Sequence, residues 1–319
     1  MRRVLVLAAM IVLAAAATAA PPTPAELVRF VPADASVVLA VDGAALRGHP
    51  AVQQWLVDHQ APWSGVDDES AKFLRDAGLD PTRDIDTMLV AVSFRNGHEE
   101  ALALFGGRFD PAAIGAALVA HGGTPGGTPN ASTYRFHDEQ HGHSGAAMLV
   151  WPKNDVVIIG TEAVVTATAA GPIGTNAMLE QELANHHVDP RAHFWMVTAP
   201  PEPQRTQATD TVGQSGPMRD VWLASRTVKR VAMDATLGTA LEFHGYALTD
   251  TAENAELLRD AVKGALAAMR LQAQQEAPEL VEVLRAVDVR FDGNQLTVSG
   301  EVPVPLLESI LAKRGVPCP

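Results

Sequence analysis

Short apolar runs rich in β-branched residues alternate along the chain with segments whose apolar residues recur at helical spacing. The first run, Val37–Val41, predicts a buried strand. Residues 88–94 and 101–105 flank an Asn-Gly pair at 96–97, which is a strong short-range signal for a β-hairpin. Asp110 then precedes a proline and an apolar segment, as a helix N-cap does. This part of the chain therefore predicts strands followed by a hairpin and a helix.

The same order of elements returns later in the chain. Residues 228–233 and 240–248 predict another hairpin, and Asp250 is expected to cap a helix with one apolar face. A last hairpin is expected across Asp292-Gly293-Asn294, followed by a final helix that reaches Lys313. The second half of the chain thus repeats the pattern of the first.

A constant offset relates the two regions. Asp250 lies 140 residues after Asp110, and Gly300 lies 140 residues after Gly160, with each glycine following a strand-like run. We therefore predict an internal duplication of a hairpin-helix-hairpin-helix unit. The proposed copies span residues 84–170 and 228–314.

The predicted fold class is α+β, with antiparallel sheets and helices on one face. Residues 20–199 form a first half and residues 217–319 a second. Between them, residues 200–216 are polar and proline-containing and are expected to form a linker or exposed loop. The sequence leaves open whether the halves form one sheet or two domains.

The amino terminus has the pattern of a cleavable secretory signal. Two arginines precede an apolar run of about 14 residues, and Ala17-Thr18-Ala19 supplies small residues for cleavage after Ala19. A membrane-spanning helix needs roughly 20 apolar residues, and no later segment reaches that length. We therefore expect residues 1–19 to be removed, and the mature protein to be periplasmic or extracellular and not integral to the membrane.

Charge and cysteine content narrow the classes of partner. The chain carries 24 Lys+Arg against 37 Asp+Glu, a net charge of −13, which becomes −15 once Arg2 and Arg3 leave with the signal. An acidic protein without a basic stripe is not expected to bind nucleic acid. Cys318 is the one cysteine, so no internal disulfide can form and burial must stabilise the fold.

The densest group of candidate ligands lies between two predicted strands. His137, His141 and His143, with Asp138 and Glu139, place three imidazoles and two carboxylates within seven residues. Neutral imidazole binds zinc, copper and nickel well, so this run is a candidate metal site. A solvated hairpin turn has the same polar composition, and that structural interpretation is kept beside it.

A second histidine cluster comprises His186, His187, Asp189 and His193. Adjacent residues point to different sides of the element that carries them, so joint chelation by the first two is awkward. We expect no organic cofactor, because the glycine-rich run at 122–127 lacks the Gly-Lys-Ser/Thr that holds phosphates.

Four short motifs of turn and strand residues follow one another in the first part of the chain. They are Phe30-Val31-Pro32-Ala33-Asp34-Ala35, Gly78-Leu79-Asp80-Pro81, Asp84-Ile85-Asp86 and Gly107-Arg108-Phe109-Asp110. In this succession of motifs the chain resembles bacterial exported proteins of unassigned function. The resemblance covers about the first half of the mature chain and implies no catalytic residue. It agrees with export from a bacterial cell.

These observations favour a non-enzymatic exported protein that binds a partner or ligand in the cell envelope or outside the cell. No motif in the sequence has the pattern of a nucleophile with its general base and the group that orients the base. The alternative is a metal-binding protein or metal-dependent hydrolase that uses His137, His141 and His143. An apolar-ligand carrier is a third possibility and would need a cavity between helix and sheet.

Overall fold

The computed structural model describes residues 22–59, 68–95, 98–128, 131–137, 146–153, 155–169, 175–199, 201 and 219–314. Within them, twelve strands form one antiparallel sheet. The strands are β1 (Ala35–Asp42), β2 (Ile85–Arg95), β3 (His98–Gly107), β4 (Thr124–Thr128), β5 (Ala131–His137), β6 (Ala146–Lys153), β7 (Val156–Thr161), β8 (Phe194–Thr198), β9 (Val228–Leu237), β10 (Ala240–Thr249), β11 (Asp288–Asp292) and β12 (Gln295–Pro303).

Helices fill the connections between these strands. They are α1 (Pro24–Leu27), a 3₁₀ turn (Val28–Phe30), α2 (Gly43–Gly48), α3 (Pro50–His59), α4 (Asp68–Asp76), α5 (Pro81–Asp84), α6 (Pro111–Ala120), α7 (Glu162–Ala169), α8 (Ala177–Ala184), α9 (Arg219–Ser225), α10 (Ala252–Glu276), α11 (Leu280–Arg285) and α12 (Val304–Arg314). The predicted α+β class with antiparallel strands is confirmed.

The sheet runs in the order β11-β12-β10-β9-β8-β1-β2-β3-β7-β6-β5-β4. Strand β8, at the end of the first half, pairs with β1 on one side, where Val38 lies opposite Val197, and with β9 on the other. The pairing of β8 with β9 joins the two halves of the chain, so they share one continuous sheet.

Two sets of strands share a connectivity. Strands β1 to β3 and strands β8 to β10 each pair as a meander, and a later hairpin returns its second strand beside the third: β7 beside β3, and β12 beside β10. The first set has in addition the hairpin β4-β5, which lies outside β6 at the edge of the sheet. The shared connectivity is what an internal duplication would produce, and the duplication itself stays a prediction. One detail of the proposed match is wrong, because the N-cap of α10 is Thr251 rather than Asp250, whereas Asp110 caps α6 as expected.

The helices lie on both faces of the sheet and not on one. Consecutive strand residues point to opposite faces. Leu104 of β3 belongs to a central cluster with Val165 of α7, whereas the next residue, Phe105, packs with a second cluster that contains Ile114 of α6. The sequence could not decide this, because a helix that follows a strand can pack on either side.

The central cluster is the largest part of the core. It includes Leu27 of α1, Leu179 of α8 and Trp195 of β8, each with no exposed surface. Burial of one such leucine side chain contributes about 2 kcal/mol. On the opposite face, α10 packs through Leu258 and Leu266, two members of its apolar stripe.

Three local differences from the sequence prediction have simple causes. The roughly helical spacing of apolar residues over 44–59 predicts one helix, but the structure breaks it at His49, which is extended because Pro50 follows it. The glycine, proline and threonine residues at 124–128 predict a loop, but this segment forms edge strand β4, paired with β5. Helix α9 has too few residues for a clear period and was not predicted.

Candidate ligand-binding groove

A groove of about 860 Å³ lies on the face of the sheet that carries the central cluster. Its floor comes from β9, β10 and β12, and one wall comes from the segment that follows α8. The polar and aromatic lining residues are His186, His187, Asp189, Arg191, Asp234, Thr236, Glu242, His244, Tyr246, Thr297 and Ser299.

The wall begins where α8 ends in a Schellman motif. The amide of His187 donates to the carbonyl of Glu182 (3.0 Å), and the amide of His186 donates to that of Leu183 (3.2 Å). This closure requires a left-handed residue, and His186 takes it with φ of 57°. Glycine is the usual residue there. The turn brings both adjacent imidazoles to the groove, although neighbouring residues of a regular helix would diverge.

Beneath the wall, a buried carboxylate fixes the first imidazole. Glu182 is 1% exposed and accepts from Nδ1 of His187 (2.7 Å) and from Nη1 of Arg230 (2.6 Å). A buried carboxylate is stable only when it is paired in this way. The pairing holds the His187 ring in one orientation.

The His187 ring stacks on Tyr246 of β10, with ring centroids 3.7 Å apart and planes 13° from parallel. Burial raises the pKa of the Tyr246 hydroxyl, the charge of Glu182 raises it further, and Arg230 opposes these effects. The phenol therefore stays neutral at physiological pH, and its ring supports the imidazole.

A second imidazole lies two residues earlier on the same face of β10. Nδ1 of His244 is 3.3 Å from Oδ1 of Asp234, a buried carboxylate on β9. The other oxygen of Asp234 accepts from the amide of Asp189 (2.9 Å), which ties the wall to the floor. Asp189 in turn holds Arg191, whose guanidinium lowers the pKa of that carboxyl.

One further carboxylate, that of Glu242 of β10, lines the groove at its rim. Glu242 lies directly opposite Glu301 of β12 in the register, beside the groove on the same face of the sheet, and both are exposed. Thr297 and Ser299 add hydroxyl groups on the neighbouring strand. The groove therefore offers imidazoles, hydroxyls and carboxylates in one open concavity, an arrangement suited to a polar ligand.

The metal site expected at His137, His141 and His143 lies almost wholly outside the described residues. His137 ends β5, and the other two histidines fall beyond it. Among the described residues, no group of three or more His, Cys, Asp or Glu side chains could hold a metal ion. The metal hypothesis stays a prediction.

The second histidine cluster divides between two roles. His186, His187 and Asp189 line the groove, whereas His193 accepts a hydrogen bond from the amide of Leu237 (3.1 Å). His193 thus fixes the end of β9 and has a structural role. That joint chelation by His186 and His187 is awkward stays a prediction, while the turn at the end of α8 places both residues in the lining of the groove.

Sequence reasoning missed the remaining groove residues. Glu182 looks like any polar residue of an amphipathic helix, and Asp234, His244 and Tyr246 belong to strands whose partners lie far away in the chain. The available signal was a carboxylate inside a short apolar run, that of Asp234 within residues 231–235.

Asp80 and Asp84, which precede β2, and Asp86, within it, have structural roles. Asp80 caps α5, and Asp84 accepts from the amide of Asp80 (2.8 Å). Asp86 is buried and pairs with Arg47 of α2. None of the three contributes to the groove.

Within the described part of the chain, no helix combines the length and apolar character needed to cross a membrane. No protein-family model and no curated protein matches the chain. Solved structures of TP0453 are similar in fold. Crystal form III matches with a TM-score of 0.50 and 10% identity, covering 90% of this chain and 97% of that chain. Crystal form I matches with a TM-score of 0.49 and 9% identity, covering 90% and 96%. At this level of identity, form III supports a similarity of fold alone.

Proposed function

We propose that the protein is an exported, non-enzymatic binding protein of the bacterial cell envelope, which holds a polar small molecule in the groove. The groove itself carries this proposal. On the face that carries the central cluster, helices α1, α7 and α8 cover strands β1, β2, β3, β7 and β8. Over β9, β10 and β12 on that face, a cavity of about 860 Å³ stays open. That volume lies in the range of small-molecule sites, roughly 300–1,000 Å³.

Preorganisation of the lining supports binding. Glu182 and Arg230 hold His187, and Asp234 ties the wall to the floor, so little side-chain freedom remains to be lost when a ligand binds. In the described residues, neither His187 nor His244 hydrogen-bonds a serine or threonine hydroxyl, the contact that would activate a nucleophile. The two imidazoles are instead held by the carboxylates of Glu182 and Asp234, which favours binding over covalent catalysis.

Export is the second part of the proposal and depends on residues 1–19, whose order of arginines, apolar run and small residues is typical of a secretory signal. Amino-terminal sequencing of protein recovered from the cell envelope tests it. The expected first residue is Ala20. Recovery of the intact amino terminus from cytosol would contradict it.

The binding proposal is tested by a thermal-shift screen of the mature chain against amines, dicarboxylates, sugars and short peptides, followed by calorimetry. A ligand at 100 times its Kd should stabilise the fold by about 2.7 kcal/mol. We expect His187→Asn to abolish the shift that the best ligand gives.

His121→Asn is the matched control. His121 also bonds a carboxylate, Asp76 (2.9 Å), but lies at the end of α6 and away from the groove. A ligand that shifts both variants as it shifts the wild type binds elsewhere. A screen in which no class of compound binds would refute the proposed function.

A further inference from the structure

We propose that the ligand of the groove is an extended organic cation that carries at least two positive charges. This inference rests on the proposed function and names its ligand class. It starts from the position of three carboxylates: those of Asp234 and Glu242, which line the groove, and that of Glu301, which lies opposite Glu242 at the edge of the groove.

The three carboxylates occupy neighbouring positions on one face. Glu242 and Glu301 are directly opposite each other across β10 and β12. Asp234 pairs with His244, two residues from Glu242, which makes Asp234 and Glu242 diagonal neighbours about 7–8 Å apart. Like charges placed opposite each other repel and destabilise a sheet. A bound cation would relieve this repulsion.

The cationic side chains around the groove are already engaged. Arg191 pairs with Asp189, and Arg230 pairs with Glu182. In the part of the chain that the structure describes, no lysine or arginine forms an ion pair with Asp234, Glu242 or Glu301, and the one basic group bonded to Asp234 is His244. The floor therefore keeps an excess of negative charge next to an open cavity.

The spread of these carboxylates favours an extended ligand over a single ion. The described residues contain no group of three His, Cys, Asp or Glu side chains close enough to hold one metal ion. Charges several ångströms apart instead match amines separated by a few methylene groups. The hydroxyls of Thr236, Thr297 and Ser299 can accept the remaining ammonium hydrogens.

Spermidine, whose amines are separated by three and four methylene groups, is the probe. Its binding to the mature chain is measured by calorimetry beside butylamine, Mg²⁺, glutarate and glucose, all at the same ionic strength. We expect saturable binding of one spermidine per chain, at least tenfold tighter than that of butylamine or Mg²⁺.

Charge-neutralising variants locate the site. Glu242→Gln and Glu301→Gln should each weaken spermidine binding about five- to tenfold, the equivalent of losing one charge-assisted contact. Glu276→Gln removes the same charge from an exposed position of α10, on the other face of the sheet, and should leave the affinity unchanged.

The failures of the two proposals are distinguishable. Equal binding of spermidine and Mg²⁺, or equal loss in Glu242→Gln and Glu276→Gln, would show general attraction to an acidic surface and overturn the inference. Binding of glutarate or glucose in place of spermidine, lost in His187→Asn, would overturn the cation assignment but uphold the groove as a binding site. Binding by no class of compound would refute both.

Discussion

Replacement of Glu182 gives the sharpest test of how the groove is held together. The carboxylate is 1% exposed and bonds Arg230 at 2.6 Å and His187 at 2.7 Å. Glu182→Leu leaves the Arg230 guanidinium, itself 20% exposed, without its main counter-charge. Breaking a buried pair from one side costs 3–5 kcal/mol, and the residual exposure of Arg230 places the expected loss near the lower end, about 3 kcal/mol.

The double variant Glu182→Leu/Arg230→Met removes both charges and keeps the apolar volume. Because no buried charge is then left unpaired, we expect it to be more stable than Glu182→Leu alone, within about 1 kcal/mol of the wild type. Urea unfolding at pH 7 measures each midpoint, and an unchanged slope shows that the unfolded state is unaffected. Two results would refute the ion-pair account. One is a double variant that loses as much stability as the single variants Glu182→Leu and Arg230→Met lose together, and the other is a loss below about 1 kcal/mol for Glu182→Leu.

Three further predictions concern the same fold. His186→Gly should raise the free energy of unfolding by about 0.5–1 kcal/mol in urea titrations, because His186 has φ of 57°; a loss of stability would contradict the strain. The pKa of Tyr246 is raised above its ordinary value, so the stability that this group contributes is full below about pH 10 and is lost as pH rises through the folded pKa. Urea midpoints of the wild type should fall over that range, and those of Tyr246→Phe should fall less. Gly107→Ala should lower the melting temperature, since its Cβ would meet the backbone carbonyl of Asp84, whereas Gly48→Ala, with open space around it, should not.

Much of the secondary structure could be predicted from local pattern. The local pattern predicts a strand over residues 194–198 and a helix over residues 162–169, and the structure shows both with these bounds, because apolar period and turn residues are local properties. The failures were local too: Pro50 broke a predicted helix at His49, and Thr251 replaced Asp250 as a cap.

The groove could not be predicted in this way. Its wall follows a helix that ends near residue 185, while its floor comes from strands that begin at residue 228. The contacts between wall and floor therefore join residues more than 40 positions apart, such as Asp189 and Asp234. Of the lining residues, the second histidine cluster was noticed, and its shared orientation depends on the left-handed turn at His186.

The sequence by itself determined the antiparallel α+β class, the positions of most elements to within a few residues and an acidic surface, because these follow from period, turn chemistry and composition. Tertiary structure decided that β8 pairs with both β1 and β9, which puts both halves in one sheet, and that helices cover both faces. It also decided that Glu182, His187, Asp234 and Tyr246 meet in one groove. These outcomes depend on which strand edges and helix faces find each other, and pairing between distant segments leaves no local pattern in the chain.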